Sequence, residues 1–266
     1  MDKSFRDYSS APKHVKQFYM LQRQNQTIRY TSEMLKKYCS TFDKDMTIWE
    51  VAEHLNHLID VSDLDLDLPN LIHGFQAAEA ARADGQPDWM LLTCLIHDFG
   101  KIIYKWGCDE DGTSQDQQWG LVGDTFVVGC RLPGSLILPE YNQLNPDQHD
   151  QLYETELGIY EPHCGLNNCY LAFGHDEYMY RMLKHNKTGL PEEALYIIRY
   201  HSLYAWHDRG AYKYLTNKKD EEMLPWVKQF NKYDLYSKSD VPLDLDKLKP
   251  YYETLVKKYL PDNLYW

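Results

Sequence analysis

Apolar residues recur along this chain mostly at helical spacing. Between Pro12 and Tyr38, the positions Val15, Phe18, Tyr19, Leu21, Ile28 and Leu35 follow a rough helical period. Thr47 to Asp60 reads as a helix. Thr47 caps it, Glu50 stands three residues on in a capping-box relation, and Val51, Leu55, Leu58 and Ile59 form its stripe. Pro69 opens a helix that runs to Asp84 and stops at Gly85. Asp88 then caps a strongly apolar helix over Trp89 to Ile103, with Met90, Leu91, Cys94 and Leu95 on its core face. Further helices are predicted over Asn168 to Lys184, from Pro191 to about Tyr204, over Met223 to Tyr236 and over Leu245 to Tyr259. The β-branched residues and Gly/Pro breaks of Leu121 to Leu138 predict one or two short strands. The pattern is that of an all-α chain of about eight helices with little sheet. No repeat or Gly/Ser linker divides it, so residues 1–266 are expected to form a single domain.

Two stretches fit neither period. Asp60 to Pro69 alternates in a way that imitates a strand or a calcium loop. An EF-hand needs Gly at its sixth position and Glu at its twelfth, and counting from Asp63 these are Leu68 and Gly74. A loop leading into the next helix is the better reading, with Pro69 in the first turn. Gly107 to Gly120 is polar and acidic and reads as a loop.

Composition narrows the class of protein. With 43% hydrophobic and 14% aromatic residues, the 266-residue chain buries a sizeable core. A net charge of −12 repels nucleic-acid phosphates and anionic membranes, so neither is expected as a partner. The six cysteines contain no CxxC pair, which argues against a disulfide framework or a zinc-thiolate site. No run approaches the roughly 18 apolar residues of a membrane span, and the N-terminus lacks an apolar signal region. A reduced, cytoplasmic protein is expected, with a monomer as the default.

The chemistry concentrates at His97-Asp98, late in the apolar stretch MLLTCLIHDFGKII. Burying an imidazole beside a carboxylate is costly unless something compensates, and a cation is the obvious compensator. Neighbouring helical side chains diverge by about 100°, so the pair does not easily chelate one ion, but the carboxylate can reach a second. His73, His175, His201 and Asp234 lie on separate predicted helices, each in an apolar or aromatic run. Four histidines and two aspartates converging in a core match two ions with N/O ligation. Any one of these histidines alone is more often a satisfied core residue. Asp176 reads as an orienter of a histidine or as a surface residue, His54 and His57 as solvated, and His207 as packing.

The ordered series His…His-Asp…His…His…Asp is the HD-domain metal pattern. The segments HDFGKI, VGDTF, PHCGLNN, GHDEY, LPWVKQFNKYDLYSK and KPYYETL, together with SFRDY near the N-terminus, resemble the myo-inositol oxygenase family over nearly the whole chain. The resemblance implies an HD-domain-like helical core and two iron ions in a mixed-valent Fe(II)/Fe(III) pair. One ion would be held by His73, His97 and Asp234, the other by His175 and His201, with Asp98 bridging. It implies that vicinal hydroxyls of myo-inositol chelate the second iron. O2 would then abstract the hydrogen at C1, and the C1–C6 bond would break to give D-glucuronate without an external reductant, a step of inositol catabolism.

The same resemblance assigns substrate contacts to Arg6, to Asp60, Val61 and Ser62, to Lys101, to Gly123 and Asp124, to His201 and Ser202, and to Lys238. Val61 stands where the family pattern carries an acidic residue. Asp98 and Lys101 are the expected catalytic residues, and residues 1–40, with Arg6, the expected lid. Lys101 near two cations should have a lowered pKa and hydrogen-bond an iron-bound substrate oxygen. Without the resemblance, Lys101 is simply a cation near a helix C-terminus. The rival reading is an HD-superfamily metal-dependent phosphohydrolase. Phosphate esters favour clustered Arg and Lys near the metals; Lys101 and Lys238 could serve, but Arg199 is the only arginine within five residues of a candidate ligand. A binding module with a structural metal fits the polar, lysine-bearing surround least well.

Overall fold

The computed structural model describes residues 8–62, 69–236 and 243–266. Among these residues ten α-helices carry the fold: α1 Lys13–Asn25, α2 Ile28–Cys39, α3 Ile48–Leu55, α4 Asn70–Ala83, α5 Asp88–Ile96, α6 His175–His185, α7 Glu192–Tyr200, α8 Tyr204–His207, α9 Lys218–Tyr236 and α10 Leu245–Tyr259. The sole ladder among the described residues is a two-residue antiparallel pair: Asp45–Met46 (β1) lies against Leu264–Tyr265 (β2). One continuous apolar core runs through the described residues, from Tyr8, ahead of α1, to Trp266. The chain is therefore all-α, as its periodicity predicts.

Several boundaries differ from the sequence expectation, each for a local reason. The Pro12–Tyr38 segment is two helices. Gln26 turns its amide to the backbone of Phe173, accepting from its N–H at 2.9 Å and donating to its carbonyl at 2.7 Å, while Thr27 caps α2 by accepting from Tyr30 N. The Thr47/Glu50 capping box forms, but α3 ends at Leu55 rather than Asp60. Asp88 is the first residue of α5 and not its cap; Pro87 holds that place, and the Asp88 carboxylate pairs with Lys258. The expected strands in Leu121–Leu138 do not form. Gly123 and Gly129 adopt φ of +88° and +80°, which breaks the extended run and leaves one isolated bridge, Val127 to Leu171.

Helix α6 starts at His175, seven residues later than predicted from Asn168. The intervening backbone hydrogen-bonds sideways instead: Ala172 N donates to Phe126 O and Val128 N to Tyr170 O. Helix α9 starts earlier than Met223. Asn217 accepts from Lys219 N while Asp220 accepts from Asn217 N, a reciprocal cap written with amide and aspartate instead of the usual Ser/Thr and Glu.

Two glycines let the site's walls meet. A Cβ on Gly74 would lie 2.5 Å from Leu95 O, so α4 and α5 approach closely there. A Cβ on Gly100 would lie 2.2 Å from His175 O, so the segment after α5 touches the start of α6.

Candidate metal centre

Helix α5 stops being α-helical where the chemistry begins. His97 is its C-cap, Asp98 sits at φ −89°, ψ −1°, and the chain continues as a 3₁₀ turn over Phe99–Lys105. That near-bridge conformation is common among active-site residues. The change of pitch brings the adjacent His97 and Asp98 side chains into one site, which a continued α-helix would not easily allow. His73 comes from α4, His175 is the first residue of α6, His201 caps α7 at its C-terminus, and Asp234 lies in the last turn of α9. All six are buried.

The side chains fall into two groups that meet at Asp98. In the first, His73 Nε2 lies 2.9 Å and His97 Nε2 3.4 Å from Asp234 Oδ1. In the second, His175 Nε2 and His201 Nε2 stand 3.2 Å apart. Asp98 presents Oδ2 to His97 Nε2 at 3.6 Å and Oδ1 to His175 Nε2 at 3.1 Å and His201 Nε2 at 3.8 Å. One oxygen thus faces each group.

Tautomers are set from behind. His97 Nδ1 donates to Cys94 O, His175 Nδ1 to Leu121 O and His201 Nδ1 to Ile198 O, all at 2.8–2.9 Å. A carbonyl only accepts, so in each neutral ring Nε2 is the bare nitrogen and points inward. With both rings neutral, lone pairs would meet at 3.2 Å, an arrangement relieved by a cation or, in the metal-free protein, by the proton that Asp176 holds on His175. Three overlapping sets of donors lie within 4.8 Å of one another: His73, His97 and Asp234; His97, Asp98 and His201; His175, Asp176 and His201. This imidazole and carboxylate donor set fits first-row divalent ions such as iron.

Electrostatics follow the same layout. Burial alone would raise the Asp98 and Asp234 carboxyls, yet Lys101 and His97 hold Asp98, and His73 and His97 hold Asp234, well below the usual carboxylate range. Burial would lower His175, but Asp176 and Asp98 override it and push it up to about 10. Lys101 departs from expectation. Burial pulls its pKa down, but Asp60 and Asp98 outweigh that and hold it well above the ordinary lysine value. Its ammonium donates to Asp60 Oδ2 and Asp98 Oδ2, each at 2.8 Å, and to Asn70 Oδ1 at 3.2 Å. The lowering foreseen from two cations is not a property of this protein without them, because carboxylates are the lysine's nearest charges.

Of the residues expected to contact substrate, the Asp60–Ser62 turn reaches Asp98 through Lys101, and Ser202 lies beside the second group. Asp60 accepts from Lys101 and from Ser62 Oγ, while Val61 N donates to Gln118 Oε1. Ser202 Oγ lies 3.3 Å from Asp176 Oδ1, and Ser202 O accepts from Thr125 N, which ties Gly123-Asp124 to the end of α7. Asp124 is buried, with Arg23 3.5 Å from Oδ2, and burial pushes its carboxyl up against Arg23's pull. Its Oδ1 has no hydrogen-bond partner among the described residues. Arg6 and Lys238 lie outside the described residues, as does the 63–68 part of the calcium-like stretch.

Two contributors stand outside the expected site residues: Asp176, read from sequence as an orienter of a histidine or a surface residue, and Gln118, which the sequence did not mark. Asp176 is buried in the second group, its Oδ1 2.7 Å from His175 Nε2. Gln118, at the end of the acidic loop, donates to Ile59 O at 2.9 Å and so braces the Asp60–Ser62 turn. The GHDEY segment carried a signal for Asp176; nothing local marked Gln118. His57 is exposed and His54 half-buried, whereas His207 is buried behind His201 and donates Nε2–H to its carbonyl at 2.8 Å.

The family model described as myo-inositol oxygenase matches residues 12–266 of this chain. The chain belongs to the myo-inositol oxygenase family. It is 47% identical to an inositol oxygenase of Mus musculus, an alignment covering 99% of this chain and 91% of the relative. It is also 47% identical to inositol oxygenase 4 of Arabidopsis thaliana over 99% of this chain and 83% of that relative. An inositol oxygenase of Dictyostelium discoideum is 44% identical, with 98% of this chain and 89% of the relative covered. The family match spans every element that carries a histidine or aspartate of the centre.

Proposed function

We propose that this chain is an enzyme that uses O2 to open the ring of myo-inositol at a two-ion centre. The observation that carries the reading is Asp98, with one carboxylate oxygen turned to each group of histidines. In it, His73, His97 and Asp234 hold one ion, His175 and His201 the other, and Asp98 bridges. The ions are iron in a mixed-valent pair, and they supply O2 activation and Lewis acidity when bound. The product is D-glucuronate, formed by cleavage of C1–C6.

The chain's own groups suit a neutral polyol. Each buried hydroxyl left unpaired costs about 1–3 kcal/mol, so such a site needs donors and acceptors in number. Asp124 Oδ1 is a buried acceptor ready for a hydroxyl donor. Lys101 and Ser202 supply donors, and Asp60 fixes Lys101 in place. Protonated Lys101 at Asp98 stabilises negative charge developing on a substrate oxygen. The burial of Lys101, Ser202 and Asp124 keeps bulk water from the reacting carbon. Arg6 and Lys238 complete the substrate contacts.

The phosphohydrolase reading has less support. Arg199, the arginine nearest in sequence to a ligand, donates to Glu177 at 2.6 Å and to Asn167 and Tyr200, which leaves it engaged elsewhere. A cytoplasmic monomer belongs to the same proposal; among the described residues, no helix is long and apolar enough to cross a membrane.

The test is direct. Iron-loaded protein is incubated with myo-inositol, and O2 uptake and glucuronate are recorded. Both should appear together. Release of phosphate from nucleotides or sugar phosphates, with no O2 uptake, would move the assignment to the hydrolase.

A further inference from the structure

We propose that Cys164 and Cys169 form a dithiol site that a low-molecular-weight disulfide, oxidised glutathione, converts to an intramolecular disulfide. Their Sγ atoms lie 3.8 Å apart, in van der Waals contact. Four residues separate them, so the pair is not a CxxC motif, and the fold of the turn brings it together.

That turn is closely held. Gly165 adopts φ +87°, a left-handed conformation that suits glycine, and Leu166–Asn168 form a 3₁₀ turn. Asn168 N donates to Gly165 O at 3.0 Å, and Asn168 Nδ2 donates to Cys164 O at 2.7 Å. Both thiols turn back on Gly165 O, at 3.7 Å from Cys164 Sγ and 3.6 Å from Cys169 Sγ. Bonded sulfurs stand about 2.05 Å apart, so about 1.8 Å of approach remains, a shift within the reach of two side-chain rotations.

The two thiols differ in access. Cys164 is partly exposed, whereas Cys169 is buried, and burial pushes its thiol up. Exchange therefore starts at Cys164. Its thiolate attacks one sulfur of oxidised glutathione, and the first glutathione leaves as a thiolate. Cys169 then gives up its proton and attacks the Cys164 sulfur of the mixed disulfide, expelling the second glutathione. The two protein thiols lose two electrons and two protons, and the two glutathione thiols gain them. A raised thiol pKa slows the second step, and contact with the partner sulfur offsets it. A cavity of about 210 Å³ beside the pair is lined by Cys169, Asn167, Asn168, Glu177, Arg181 and Arg199. Two guanidiniums against one carboxylate suit an anionic tripeptide such as glutathione.

The turn also supports the end of α7. Asn167 Oδ1 accepts from Arg199 Nη1 at 3.1 Å and from the Tyr200 hydroxyl at 2.9 Å, just before His201. A cross-link over the turn braces that anchorage.

Iron-loaded full chain, reduced and held under argon, is treated with oxidised glutathione and alkylated with iodoacetamide before digestion. The tryptic peptide from Leu132 to Arg181 contains Cys164 and Cys169 and no other cysteine. It should appear unalkylated and lighter by two hydrogen atoms, and dithiothreitol should restore both thiols. In Cys169→Ser the same peptide should instead keep one glutathione on Cys164. Oxidised wild type should melt about 2–8 °C above reduced wild type, and Cys169→Ser should lose that gain. A wild-type peptide with both thiols alkylated, or one that keeps glutathione without closing to the disulfide, overturns the proposal. A Tm that does not rise on oxidation overturns the bracing of α7.

Discussion

Lys101 Nζ stands 2.8 Å from Asp98 Oδ2, so the carboxylate between the two histidine groups carries its own buried counter-charge. The same ammonium holds Asp60 at 2.8 Å. Lys101 thereby links the centre to the turn expected to contact substrate, and its loss should be felt at both.

Lys101→Met removes one partner of a buried ion network, a change that typically costs about 3–5 kcal/mol when the remaining charge stays buried. Turnover should fall about 100-fold or more, since a preorganised donor at the reacting oxygen is lost. Urea melts and O2 uptake on the same preparation check both effects. A variant with wild-type kcat would remove Lys101 from the chemistry.

His201→Ala should abolish O2 uptake while the helical circular-dichroism signal stays nearly intact. Among the described residues the ring is anchored outside the centre by Nδ1 to Ile198 O and by an edge contact with Phe230, and the surrounding apolar residues close part of the gap. Metal analysis should show loss of the second ion with retention of the first. Near-normal activity would refute the ligand assignment.

Acidity should act in opposite directions on metal-free and metal-loaded protein. In the metal-free protein, burial disfavours the His175 cation, but Asp176 and Asp98 outweigh it and raise its pKa from 6.5 to about 10. A raised folded-state value means stability that is fully present below pH 6.5 and is lost as pH rises through 10. Thermal melts of metal-free protein should therefore fall across that window. Metal needs Nε2 free of its proton, so metal affinity should weaken as pH falls through the same window. Melts that rise between those limits would contradict the layout.

Gln118→Ala should loosen the Asp60–Ser62 turn without touching an ion. It removes the donor to Ile59 O and the acceptor for Val61 N. At about 0.5–1.5 kcal/mol per net hydrogen bond, KM for myo-inositol should rise roughly 3- to 10-fold with kcat little changed. A fall in kcat at constant KM would show that the turn acts on the chemical step.

Much of the protein was legible from residues alone. Helical period marked the apolar faces, the Thr47/Glu50 box marked the start of α3, and imidazoles and carboxylates in apolar runs marked the donors of the centre. These features are local: spacing and side-chain chemistry act within a turn or two of the chain. Tertiary packing decided the rest. The α-to-3₁₀ change at His97-Asp98 turns two neighbours into one site, and the pressing of Gly100 against His175 O is part of that packing. Hydrogen bonds between Phe126–Val128 and Tyr170–Ala172 hold back the start of α6 until His175, which places Asp176 in the centre instead of on a surface. Gln118 braces a turn more than fifty residues away in sequence. A residue's own neighbours in the chain do not record such partners, because the free energy that selects them comes from burying groups that meet only once the helices have packed.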